Sequence, residues 1–270
     1  MTAPLPASRP AAPSDADDTA TLLAAGVLAY IAETMLHEAG GHGGVCIAGG
    51  GHVTLLAPLF MRCSQTGLAM IAAGPLANVV GAALVWAALR WARRLTPLAG
   101  LLLWLSFAFN ALVACGYLFV GAATGFGDWP ALFAWVDPPI AWRLPAALCA
   151  AGLYIGCLFL AAWRFRALAA SGDRARARLR RRALIPAAGA AVVACAAELA
   201  GGRMLPMPLL LALGCTLAVG YSLTAMDGSL AGPRPGDCDL GPVPRKWWLV
   251  ALAVAVAAWF VVVVGPGWRL

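Results

Sequence analysis

His37-Glu38-Ala39-Gly40-Gly41-His42 sets two imidazoles on either side of one carboxylate, at the end of an apolar run that begins near Thr19. The chain has only three histidines, and two of them stand here with one of its three glutamates. Ionisable groups are expensive to hold in a membrane-length apolar segment, and they mark function. Two imidazoles and a carboxylate suit a metal-activated water: nitrogen ligands for the ion and a base for the proton. In H-E-x-x-H on a helix, four residues turn about 400°, so the histidines lie about 40° apart and can bind one zinc. Here the spacing is five, and an ideal α-helix would separate His37 and His42 by about 140°. A π-bulge takes up one extra residue in a turn and returns both rings to one face. Gly40 and Gly41 supply backbone freedom at the point of insertion, so a bulge is predicted there. The bland alternative is a glycine-rich helix end with incidental histidines.

The elements that must position these groups are membrane spans. The chain is 62% hydrophobic and 11% charged, with a mean hydropathy of +0.81, far from an ordinary soluble domain. Seven apolar runs approach or reach the length of a span, at about 20–41, 67–89, 98–120, 141–163, 183–200, 207–226 and 247–264. The expected fold is an all-α, polytopic helical membrane protein with about seven transmembrane helices. A glycine turn and a short β-like segment, Gly49-Gly50-Gly51-His52-Val53-Thr54-Leu55-Leu56, follow the first span and end near Pro58. Residues 1–18, rich in Ala, Pro, Ser and Asp, lack the features of a cleavable signal and read as a disordered tail. The eight cysteines form no C-x-x-C pair and lie mostly in apolar spans, so no disulfide framework is predicted.

A net charge of +7 raises the question of nucleic acid. With seven spans, 15 of the 19 basic residues fall on one side, among them Arg90, Arg164, Arg181, Arg182, Arg245 and Lys246. That is the positive-inside pattern. It places the N-terminus in the cytoplasm, with a basic cytoplasmic loop over 164–182 that touches anionic lipid. No nucleic-acid module is visible. The expected setting is a bacterial inner or plasma membrane.

Early in the second span stands Ala73-Gly74-Pro75-Leu76-Ala77-Asn78. An apolar helix bearing H-E, a short extended segment and then A-G-P-L-A-N resembles the site-2 protease family of intramembrane zinc metallopeptidases. The likeness covers a three-helix core over residues 19–130, leaving 131–270 as additional transmembrane helices. The six residues 37–42, read as H-E-x-x-G-H, also resemble the motif of the dipeptidyl peptidase III family, soluble zinc peptidases, over that stretch alone. The resemblance to site-2 proteases implies one zinc ion, His37 and His42 as ligands, Glu38 as general base, and Asn78 near substrate or oxyanion. It implies a third ligand from an Asp on a later helix, for which Asp128 and Asp227 compete. The span count favours Asp128, because it falls at the same membrane end as His42 while Asp227 falls at the opposite one. That end is the outer one by arginine count, whereas the family holds its zinc toward the cytoplasm.

Glu33, one turn before His37, either orients that ring from behind or lies on a solvated helix face. Glu198 either pairs with Arg203 or sits protonated in the bilayer, and His52 reads as a loop residue. The resemblance implies a membrane-embedded zinc metalloprotease whose substrates are transmembrane proteins, unwound locally so that an edge strand near 52–57 pairs with them. The alternatives are an inactive protein of the same fold that binds membrane partners, and a small transporter using intramembrane acidic residues. Nothing in the sequence sets the oligomeric state.

Overall fold

A computed structural model of the protein describes residues 16–91, 95–166, 173–202, 220, 221, 224 and 241–270. Among them are six helices long and apolar enough to cross a membrane. The protein is an all-α, polytopic helical membrane protein. The expected span at 207–226 falls almost entirely outside the described residues, and so does Asp227.

The first span is a continuous rod, Thr19–Ala48. It begins as α1 (Thr19–Met35), capped by the Asp18 carboxylate, which accepts from the Thr21 N–H at 2.9 Å. The rod passes through a π-helical turn at Leu36–Gly43 and closes as α2 (Gly44–Ala48). A hairpin follows, β1 (Val53–Ala57) and β2 (Phe60–Cys63), with Pro58 and Leu59 at its tip. Next come α3 (Leu68–Trp91), with Pro75 inside it, and α4 (Pro97–Thr124). Short α5 (Asp128–Leu132) leads to α6 (Ile140–Arg166) and α7 (Asp173–Ala200). Finally α8 (Trp247–Trp259) runs into a second π-turn, Phe260–Val264, and then β3 (Trp268–Arg269).

Packing centres on α1, which contacts α4, α7 and α8, while α4 also packs on α3 and α6. Fully buried Leu22, Trp104, Leu105, Phe109, Leu112 and Phe260 fill the interior. Tyr30 joins two of these helices to α1, meeting Phe109 and Phe260 edge to face. Leu76, Val79, Val80 and Leu84 on α3, and Leu144, Leu148, Leu153 and Ile155 on α6, face outward, as lipid-facing side chains do.

The structure corrects four expectations. The β-like segment is not an edge: β1 lies between β2 and β3, with Leu55 opposite Arg269 and Leu56 opposite Trp268. Its second edge is taken by a strand from beyond the last helix, a pairing with no local signal. Second, Cys46 and Cys63 form a disulfide, because the hairpin brings β2 back against the end of the rod. Third, arginines of 174–182 lie in the opening turns of α7, where Arg, Ala and Leu are good helix formers.

Fourth, the end of the predicted tail is ordered. Asp17 is buried, and both its oxygens take the Arg182 guanidinium, at 3.0 and 2.8 Å. Asp17 also accepts the Val243 N–H at 2.7 Å, and Arg245 meets Asp18 at 2.8 Å. The starts of α1 and α8 and the third turn of α7 are therefore tied at one end of the bundle. Replacing Arg182 with Ala strands the Asp17 carboxylate, and the expected loss of stability is about 3–5 kcal/mol. Chemical unfolding in detergent would measure it, and a loss below about 1 kcal/mol would contradict a buried pair of this kind.

Candidate metal centre

The π-turn is where the sequence placed its bulge. Its i→i+5 pattern stacks residues five apart one turn above the other, so His37 and His42 share a face. Their rings meet edge to face with centroids 4.9 Å apart. Neither Gly40 nor Gly41 has a positive φ, so the glycines do not serve the turn through left-handed backbone. Gly41 serves close approach: a Cβ there would lie 2.6 Å from the Ala73 carbonyl oxygen and 2.7 Å from the Gly74 Cα. The rod and the A-G-P segment of α3 thus touch backbone to backbone.

That contact lays α3 across the two imidazoles. Asp128 arrives from the other side, at the first position of α5, after α4 ends on Gly125 in left-handed conformation. Asp128 Oδ2 is 3.2 Å from His37 Nε2 and 3.3 Å from His42 Nε2. Among the described residues, His37, His42 and Asp128 are the group of side chains placed to hold a metal ion.

The other ring nitrogens decide what lies between these atoms. His42 Nδ1 is 2.7 Å from the Met70 carbonyl oxygen and so donates to it. His37 Nδ1 is 3.2 Å from Asn78 Oδ1. The Asn78 amide nitrogen donates to Glu33 Oε1, which fixes the amide's orientation and leaves its oxygen to accept from His37. Neutral rings that donate through Nδ1 carry lone pairs at Nε2. Two such lone pairs aimed at one carboxylate need a positive centre, an ion or protons. Ligands at 2.0–2.1 Å around a tetrahedral zinc stand about 3.3–3.4 Å apart; the two His–Asp separations are close to this, and the three ligand atoms all lie within 4.8 Å of one another. Metal-binding histidines also hold their second N–H on a fixed acceptor, and both do so here. Burial pushes the Asp128 carboxyl up, but protons on the facing His37 and His42 nitrogens outweigh this and hold it below the usual range when no ion lies between them.

Two further features fit an ion. An ideal Cβ on Gly74 would fall 2.3 Å from His42 Nε2 and 2.7 Å from His37 Nε2, so only glycine leaves that space clear. Buried Glu38 has an Oε2 with no hydrogen-bond partner among the described residues, an arrangement costly without a polar occupant nearby. Glu38 and His37 line a cleft whose walls include Tyr30, Pro58, Leu59, Val113 and Phe126.

The structure therefore brings together His37, Glu38, His42, Asp128, Asn78 and Glu33. Asn78 is fully buried with both ends of its amide engaged, which puts it behind His37 and away from the cleft. Glu33 reaches His37 through it. His52 bonds Ser64 through its backbone in the hairpin, outside the cluster. Glu198 is buried on α7, and Arg203 lies outside the described residues. Sequence reasoning missed Gly74 as a steric requirement, although it stood in the quoted A-G-P-L-A-N. The chain matches no family model, no curated protein and no solved structure.

Proposed function

We propose that this protein is a membrane-embedded zinc metallopeptidase of the site-2 protease kind, cutting peptide bonds in or near transmembrane segments of other proteins. The observation that carries this reading is the convergence of His37 Nε2, His42 Nε2 and Asp128 Oδ2, with both Nδ1 atoms tied to acceptors. An inactive protein of the same fold is the alternative that the five-residue spacing raises; the π-turn, which puts both rings on one face, supports the active reading.

His37, His42 and Asp128 would hold the ion. When bound, zinc supplies Lewis acidity and lowers the pKa of a water toward neutrality. Glu38, whose Oε2 has no partner among the described residues, takes a proton from the attacking water and returns it to the leaving nitrogen. Asn78 holds the His37 ring, and Glu33 holds Asn78. The apolar cleft walls exclude bulk water and receive the side chains beside the scissile bond.

Sidedness has two supports. Arg181, Arg182 and Arg245 gather at the end where α1 begins, while the metal cluster lies toward the other end of the rod. The Cys46–Cys63 disulfide lies beyond His42 at that far end, and disulfides persist on oxidising faces. Both fit a cytoplasmic N-terminus and a site toward the outer face.

Purified protein incubated with a fluorogenic transmembrane peptide in detergent tests the reading. Hydrolysis should stop on chelation and return with added zinc. Zinc-loaded protein that cleaves none of a panel of such peptides, or that conducts ions independently of zinc, would overturn it.

A further inference from the structure

Asp128 is the one ligand that does not come from the first span, and something must hold its loop against the two imidazoles. The carboxylate leaves from a short helix after Gly125-Phe126-Gly127, with two positive-φ glycines in three residues. Such a segment has little intrinsic stiffness. Tyr117, about two turns before the end of α4, reaches across it. Its hydroxyl oxygen accepts the Asp128 backbone N–H at 3.2 Å. Its ring packs edge to face on His37 with centroids 5.8 Å apart. Gly127, with φ +103°, passes so close that a Cβ would lie 2.4 Å from the Tyr117 hydroxyl.

We infer that Tyr117 is a positioning residue for the metal centre, pinning the Asp128 loop through its hydroxyl while its ring buttresses His37. The inference rests on the zinc reading above and goes beyond it, since neither the motif nor the ligand set includes this residue. One side chain touches two of the three ligand residues, one by a hydrogen bond to the main chain and one by ring contact. The hydroxyl fixes where α5 starts, and the start of α5 fixes where the carboxylate stands. The close passage of Gly127 is the steric counterpart: the loop is drawn in until only hydrogen fits beneath the phenol.

The discriminating variant is Tyr117→Phe, which keeps the ring and its contact with His37 and removes the hydroxyl that accepts the Asp128 N–H. Zinc affinity, measured by competition with a chromophoric chelator on full-length protein in detergent, should fall about 10- to 100-fold, the usual effect of losing a group that orients a ligand. The visible spectrum of the cobalt-substituted variant should shift, because the carboxylate is no longer held in one place. The unfolding midpoint of the metal-free variant should match that of the metal-free parent, a result that a purely structural tyrosine would not give. Parent-like zinc affinity and cobalt spectrum in Tyr117→Phe, with zinc bound by the parent, would overturn this inference and leave the metal site standing. A parent that binds no zinc would overturn the metal reading itself.

Discussion

Glu38→Gln is expected to lower kcat for peptide hydrolysis by about 10²–10⁴-fold while leaving one zinc bound per chain. The substitution is close to isosteric, and Glu38 lies outside the convergent ligand group of His37, His42 and Asp128. What disappears is the capacity of the buried Oε2, unpartnered among the described residues, to accept a proton. A group that shuttles a proton in the transition state affects kcat more than KM, so KM should change little. Metal analysis beside steady-state kinetics checks both halves. Equal kcat in the variant would remove Glu38 from the chemistry, and lost zinc would make it part of the ligand structure instead.

The second large effect is expected at Gly74→Ala, which should weaken zinc binding by at least about 100-fold, beyond the usual effect of losing a ligand-orienting group. The added methyl would stand 2.3 Å from His42 Nε2 and 2.7 Å from His37 Nε2. His42 has little room to turn aside, because its Nδ1 is held at 2.7 Å by the Met70 carbonyl. His37 is held by Asn78 in the same way. Alanine is a better helix former than glycine by about 1 kcal/mol, so α3 itself should gain from the change. Loss of zinc with an intact helical circular-dichroism signal is therefore the expected pair of results. Parent-like zinc affinity would mean that the ion does not bind between the two imidazoles.

The centre was legible in the sequence to the extent that its chemistry is local. His37, Glu38 and His42 announced themselves because imidazole and carboxylate are out of place in an apolar run, and the π-turn followed from a count of five residues. Asp128 was reached by topology: two spans running the same way bring their ends together. Asn78 was placed near the site by motif, but its side of the site depended on Glu33, 45 residues away in sequence. What the sequence hid was non-local pairing. β3 joins β1 across almost the whole chain, Arg182 finds Asp17 from a distant helix, and Cys46 meets Cys63 only after a hairpin folds back. Each depends on which helices are neighbours, and hydropathy alone does not fix that. Gly74 and Tyr117 were hidden for a related reason, since one matters by having no side chain and the other by reaching across a loop.

The central claim is that His37, His42 and Asp128 form a zinc site. The most direct test is the metal content, by inductively coupled plasma mass spectrometry, of the purified parent beside His42→Ala and Asp128→Ala. About one zinc per chain is expected in the parent, from one three-ligand set with a fourth position open to water, and a large loss in both variants. Undiminished zinc in both variants, or a parent that takes up none when zinc is supplied, would contradict it.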